Sequence, residues 1–161
     1  MYNVLEVCRH IINYCNKNSY IISNLKLQKL LYFVQAYFLV HTSSGEPCFL
    51  ENIEAWDFGP VVPDAYYEFK EYGASSIPRI SKYYDLCADG DGWSLKTLHF
   101  NDDVISSEHK KIIDEIVSSF ANYSATDLVR ITHNQKPWME AYTPGKNTII
   151  THESIRRYFN A

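Results

Sequence analysis

Cysteine and histidine are the residue types of this chain that could act as a nucleophile and a base. The sequence has 4 cysteines and 6 histidines among 161 residues. Cys48 lies in a predicted loop after Glu46 and Pro47, and an imidazole from His41 or His133 beside its thiol would make the dyad of a small hydrolase. The sequence alone does not show whether either histidine lies next to that thiol in the folded protein. We therefore predict that no residue is catalytic. The alternative is a thiol-dependent hydrolase that uses Cys48 with His133.

Metal ligands must converge on one side of an element. Cys8, His10 and Cys15 share the first predicted helix, but His10 is turned about 200° from Cys8, so one ion could not easily take both side chains. We expect two small buried thiols and an exposed imidazole there. The aspartates within residues 85–91 lack the ordered spacing and the closing glutamate of a calcium loop. The chain has no glycine-rich phosphate loop, HExxH or GxSxG motif, and we predict no metal and no cofactor.

Two aromatic segments with a restricted backbone are the binding candidates. Residues 54–63 read EAWDFGPVVP, and the two prolines and one glycine leave few backbone states, so this segment would lose little entropy on binding. The alternative is a corner that crosses the core and buries Trp56 and Phe58. In the second segment His133 closes a short predicted helix, where the helix dipole favours a protonated side chain, and Trp138 follows.

Two lysines lie one turn apart on an otherwise apolar helix. Lys26 and Lys29 either face an acidic partner as a pair or lay their apolar stems over the core and extend to water. We expect the second arrangement for Lys26. Lys29 is flanked by leucines at 27, 30 and 31, so a surface cation and a half-buried, partnered ammonium both stay open.

The helix that carries these lysines is the predicted centre of the fold. Residues 24–41 are apolar on almost every face, which is typical of a buried helix. Capping spacings at Asn3 and Ser124 predict two further helix starts. The prediction is a mainly α, compact single-domain helical bundle of residues 1–161 around the central helix, with a small β element. The other helices are expected at about 3–16, 63–72, 106–120, 124–133, 137–142 and 151–159, and the strands at about 50–58, 77–84 and 93–98.

Composition narrows the function classes. The chain is 46% hydrophobic and 15% aromatic with a net charge of −4, which argues against disorder and against a protein built mainly to hold phosphate backbones. Basic pairs at 110–111 and 156–157 stand far apart in the sequence and do not form one stripe, so nucleic-acid binding is not expected. A DNA-binding autoregulator is kept as an alternative. No apolar stretch reaches the ~18 residues of a membrane span. The N-terminus carries Glu6 rather than the basic residues that begin a signal peptide, so a signal peptide is not expected. A reducing, cytoplasmic location is expected.

Three motifs carry a resemblance to a known family. The run LKLQKLLY at 25–32, the EAWDFGPVVP segment at 54–63, and residues 132–138 together resemble the SocA-like antitoxin family. Its Panacea domain is also described among phage-associated GepA-like proteins. The resemblance is strongest over 3–142. It implies a bacterial or prophage protein, not an enzyme, that neutralises a toxin encoded beside it.

The same resemblance implies a cognate protein toxin as partner, and a protease or chaperone where the antitoxin delivers its toxin for proteolysis. Homo-oligomers are left open. A second possibility is that the motif residues maintain the fold and that partner contacts lie on residues 80–98. The partner-binding candidates are Trp56, Phe58, Gly59, Pro60, Val61, Tyr66, Tyr67, Lys29, His133 and Trp138.

Overall fold

The second helix lies at the centre of the molecule in a computed structural model that describes residues 1–160. Helix α1 (Val4–Lys17) is followed by α2 (Asn24–His41). Side chains on every face of α2 are buried, including Leu27, Leu31 and Tyr32, because α1, α3 (Pro63–Phe69), α4 (Ser107–Ser119), α5 (Ala125–His133) and α7 (His152–Phe159) pack around it. The expected bundle around a buried central helix is confirmed.

Side-chain caps fix the helix starts. Asn3 accepts a hydrogen bond from the backbone N–H of Leu5 (2.8 Å) and caps α1. Glu6, which has the capping-box spacing from Asn3, accepts from Arg9 instead (2.8 Å). The capping box predicted at Ser124 is present in full, with Asp127 as its second member.

The β element is a three-stranded antiparallel sheet and a separate hairpin. Strands β1 (Ile53–Trp56) and β2 (Gly59–Val61) form a hairpin, and β5 (Thr148–Ile150) pairs with the other edge of β1. The strand expected at about 50–58 is therefore shorter than predicted and turns back at Asp57-Phe58. The three-residue strand β5 was not predicted, because alternation over so few positions carries no signal.

The second hairpin, which we call the ribbon, consists of β3 (Lys82–Asp89) and β4 (Gly92–His99) joined by a turn at Gly90-Asp91. Strand β4 agrees with the expected 93–98, but the strand expected at 77–84 was placed too early. Ile77 is fully buried and donates its N–H to the carbonyl of Ile22 (2.8 Å), so this segment packs against the connection between α1 and α2.

Short elements complete the chain. Turns of 3-10 helix cover Lys70–Tyr72 and Asp102–Val104, and α6 covers Lys136–Ala141. Within residues 1–160, no helix combines the length and the apolar character needed to cross a bilayer.

Candidate partner-binding surface

The turn between β1 and β2 carries a cluster of aromatic side chains at the surface. Trp56 meets Tyr66 edge to face (4.9 Å between ring centroids), and Tyr66 meets Tyr67 in the same way (5.4 Å). Phe58 at the tip of the turn is 67% exposed and Tyr67 is 59% exposed. We call Trp56, Phe58, Tyr66 and Tyr67 the aromatic surface. Large apolar rings exposed together are what a protein-binding site presents.

A groove of about 530 Å³ lies beside this surface. Its apolar lining comes from Leu25, Trp56, Phe58, Val61 and Tyr66. Lys70 and Lys146 also line the groove, and its carboxylate is that of Asp57. The hydroxyl of Tyr142 donates to that carboxylate (2.9 Å). A mostly apolar lining with a few charged groups is typical of a ligand-binding groove.

Gly59 lets the hairpin approach the central helix. Its φ is +99°, and a Cβ at this position would lie 2.8 Å from Cε of Lys29 and 2.8 Å from Oγ1 of Thr132. Only glycine fits, for backbone and steric reasons together. The Nζ of Lys29 donates to the carbonyl of Pro60 (2.9 Å), so the lysine holds the first residues of β2 against α2.

Lys29 is fully buried, which neither sequence interpretation anticipated. Its ammonium faces a carbonyl, and no ion pair within residues 1–160 includes it. Burial lowers the pKa of Lys29 to about 7, because the charged form loses hydration without gaining a carboxylate. The neighbouring Lys26 does not extend to water as expected. It is also buried and donates to the carbonyl of Ala121 (3.0 Å).

An aromatic stack supports the hairpin from the other side. The ring of His133 stacks on Trp138 (4.0 Å), and Trp138 stacks on Tyr142 (4.5 Å). Nε1 of Trp138 donates to the carbonyl of Trp56 (3.0 Å). Together with the bond from Tyr142 to Asp57, this holds the β1 end of the turn, while Lys29 holds its β2 end.

His133 is not the protonated helix cap that the sequence suggested. It is the last residue of α5, but burial and then the charge of Lys29 lower its pKa, although a hydrogen bond that the imidazole donates to the backbone of Asp57 opposes them. Its Nε2 is buried without a hydrogen-bond partner. The imidazole therefore acts as a neutral ring in the stack near neutral pH.

The structure divides the predicted site residues into two groups. Lys29, Gly59, Pro60 and Val61 are buried, and of these four only Val61 contributes to the lining of the groove. They shape the support beneath the turn. The remaining candidates are exposed or partly exposed, and their role in binding stays a prediction: Trp56, Phe58, Tyr66, Tyr67, His133 and Trp138. Trp138 and Tyr142 hold the turn from 82 and 85 residues away in the chain, and sequence spacing gave no signal for those contacts.

Three of the four cysteines are unsuited to nucleophilic chemistry. Cys8, Cys15 and Cys48 are buried. Burial raises the pKa of Cys48 to about 12 and that of Cys15 to about 11, whereas a reactive cysteine needs a lowered pKa. This counts against the thiol-hydrolase alternative. The described residues contain no group of three or more potential ligands that could hold a metal ion.

His10 was expected to be exposed, and that expectation is wrong. Its ring is buried between two carboxylates, with Nδ1 2.7 Å from Asp102 and Nε2 2.9 Å from Asp114. Burial by itself would lower the pKa of His10, but the hydrogen bonds to Asp114 and Asp102 outweigh it and raise the pKa. Helical spacing could not reveal this clamp, because both carboxylates come from distant segments.

The basic pairs are largely occupied by internal contacts. Lys110 pairs with Asp102 (3.1 Å). Arg156 donates to the carbonyl of Gly45 (2.7 Å), and Arg157 pairs with a glutamate of α6 (2.7 Å). Guanidinium and ammonium groups held in this way do not form a stripe along a phosphate backbone. The DNA-binding alternative therefore gains no support.

Comparison with known proteins places the chain in a family. Residues 27–139 match the family described as "Antitoxin SocA-like, Panacea domain". The chain belongs to this antitoxin family. The match extends from the buried central helix to α6 and so includes the hairpin, Lys29 and the His133–Trp138 stack. The family resemblance predicted from the three motifs is confirmed.

A curated relative is Antitoxin SocA of Caulobacter vibrioides (strain NA1000 / CB15N). It is 35% identical over 132 residues, which cover 78% of this chain and 63% of the relative. The chain thus spans less than two thirds of that antitoxin's length. No solved structure matches the chain.

Proposed function

We propose that the protein neutralises a protein toxin by binding it directly, and that the aromatic surface and its groove make the contact. The observation that supports this proposal most is the exposure of the Phe58 side chain. A large apolar side chain is 67% exposed at the tip of a turn whose backbone is held on both sides by distant residues. Exposure of so large an apolar side chain on a rigid turn supports a role in binding, since it contributes little to folding.

The energetics of binding favour this surface. The turn is already ordered by Lys29, Gly59 and Trp138, so little backbone entropy is lost when a partner binds. Trp56, Tyr66 and Tyr67 belong to the residue types that dominate interface energies. Trp56 and Tyr66 line the groove and would exclude water from a side chain that enters it.

The charges around the groove restrict the partner. Lys70 and Lys146 line it, and a toxin segment with an apolar anchor next to aspartate or glutamate would complement them. Such charges accelerate association more than they strengthen the complex, so binding should slow as salt is added.

A direct test uses the product of the neighbouring gene as the candidate toxin. Phe58→Ala removes the most exposed ring of the aromatic surface and should weaken toxin binding by about tenfold to a hundredfold. It should leave the melting temperature nearly unchanged, because an exposed side chain contributes little to folding. Titration calorimetry and rescue of growth on co-expression are the two measurements.

Leu50→Ala is the matched control. Leu50 is 66% exposed and lies before β1, away from the turn. Equal affinity of wild type and Phe58→Ala for the toxin would contradict the aromatic surface as the contact. A neighbouring product that is harmless alone, or whose toxicity is not relieved, would contradict the proposed function itself.

Neutralisation with purified components separates direct inhibition from delivery to a protease. We expect the toxin to lose activity in a mixture that contains only the two proteins. Loss of toxicity only in cells with an intact protease would identify an adaptor instead.

A further inference from the structure

The ribbon has one apolar face that no other part of the described chain covers. Tyr84, Leu86, Trp93 and Leu95 are 62–75% exposed. Leu86 pairs with Leu95 across the strands, and alternate residues of a strand point to the same side. These side chains therefore form one continuous surface, which we call the ribbon face.

The opposite side of the ribbon is attached to the body of the protein. The guanidinium of Arg9 lies 3.4 Å from the ring centroid of Tyr83. The hydroxyl of Tyr83 also donates to Glu6 (3.3 Å). A two-stranded ribbon is marginally stable in water, and an uncovered apolar patch of several hundred Å² usually marks an interaction site.

Charge is distributed unevenly along the ribbon face. Lys82 and His99 are paired at its base, so this end carries positive charge. Asp91 lies in the turn at the tip, next to Trp93 at the end of the face. A face with positive charge at one end and negative charge at the other complements a copy of itself in the reverse direction.

We propose that the ribbon face binds a second copy of the chain, with two ribbons packed face to face and antiparallel. A two-fold axis then brings Lys82 and His99 of each copy over Asp91 and Trp93 of the other. The leucines and Tyr84 meet at the centre, where they exclude water. The ammonium of Lys82 in each copy can also lie over the indole ring of Trp93 in the other copy.

The size of the face sets the strength of this dimer. Two aromatic and two leucine side chains at these exposures present on the order of 500 Å² per copy. Two copies bury about 1,000 Å², which is the lower end for a specific interface. We therefore expect a reversible dimer with a dissociation constant in the micromolar range. This inference is independent of the toxin-binding proposal, which concerns the other hairpin.

Sedimentation velocity at about 1 to 100 µM, which spans a micromolar dissociation constant, tests whether a second copy binds the ribbon face. Reductant is present because Cys87 lies on the ribbon and is partly exposed. Wild type should shift from monomer to dimer with concentration. Leu86→Lys places an ammonium at the centre and should raise the dissociation constant at least about tenfold, whereas Leu50→Lys, equally exposed outside the ribbon, should not.

Mixed charge reversals test the antiparallel arrangement. K82E alone and D91K alone place like charges at both ends of the dimer, so each should weaken it by about twofold to fivefold. A mixture of the two variants pairs opposite charges at both ends and should dimerise more tightly than either variant by itself. Circular dichroism confirms that each variant is folded.

Three results would overturn the proposal. Wild type that stays monomeric throughout the concentration range excludes the second copy. A dimer that tolerates Leu86→Lys lies elsewhere on the molecule, and a mixture of K82E and D91K without gain excludes the antiparallel register. Monomeric wild type whose toxin binding is lost in Leu86→Lys would assign the ribbon face to the toxin.

Discussion

The two hairpins of this protein are stabilised in opposite ways. The β1–β2 hairpin has short strands and buries Ala55, Pro60 and Val61. Lys29 and Trp138, from distant parts of the chain, hold its backbone. The ribbon has longer strands that depend mainly on each other, and its attachment comes from one side. Tertiary contacts therefore make the first hairpin rigid enough to present Phe58, while the ribbon has a face left uncovered.

Glycine substitutions should separate the two hairpins most clearly. Gly59→Ala must adopt a φ of +99° and place its Cβ 2.8 Å from the Lys29 and Thr132 side chains. We expect a loss of about 3 kcal/mol from the free energy of unfolding, from backbone strain and overpacking together.

Gly90→Ala is the control, since Gly90 also has positive φ but an added Cβ would meet nothing within 4 Å. It should lose only about 1 kcal/mol. Urea unfolding measures both variants. Equal losses would contradict the close packing of the first hairpin on α2.

The buried Lys29 should make stability depend on pH. Its pKa is about 7 in the folded protein and about 10.4 when unfolded, so between these values the unfolded chain binds one more proton. Stability then rises with pH, by roughly 1 kcal/mol per unit between about pH 7.5 and 9.5. Lys29→Met removes this titration.

Chemical unfolding at several pH values compares Lys29→Met with wild type. We expect the rise to flatten in the variant, even though the carbonyl of Pro60 loses its donor. A wild-type stability that stays constant over this range would show that Lys29 keeps its usual pKa.

Tryptophan substitutions should give the smallest difference in stability between the two hairpins. Trp138→Phe keeps an aromatic ring in the stack but loses the hydrogen bond to the Trp56 carbonyl, which should destabilise the protein by about 1 kcal/mol. Trp93→Phe removes no hydrogen bond from a side chain that is 75% exposed, and it should change stability by less than about 0.5 kcal/mol. Thermal unfolding at sub-micromolar concentration, below the proposed dimer range, checks both variants, and the reverse order of effects would contradict the role of the stack.

Sequence patterns predicted the elements whose signals are local. The apolar run of the central helix and the capping residues Asn3 and Ser124 gave correct helix starts. The motif at 54–63 gave the family, but its spacing could not show that Gly59 touches Lys29. The clamp on His10 was missed for the same reason, since Asp102 and Asp114 meet the ring only through tertiary packing.

Exposure was also beyond the reach of the sequence. Phe58 and Val61 stand three residues apart in one aromatic and apolar motif, yet one is exposed and the other is buried. The difference arises because Phe58 lies in the turn, whereas Val61 lies in strand β2, which packs against α2. Apolar character alone does not separate a core side chain from a binding side chain.

The affinity of the neighbouring toxin for Phe58→Ala and Leu86→Lys, measured side by side, tests direct binding through the aromatic surface most sharply. Each variant alters one exposed apolar side chain on one hairpin, so folding is affected little in either. We predict that Phe58→Ala weakens the complex by at least about tenfold and that Leu86→Lys retains the wild-type affinity. Full affinity in Phe58→Ala together with loss in Leu86→Lys would contradict the claim and move the toxin-binding site to the ribbon.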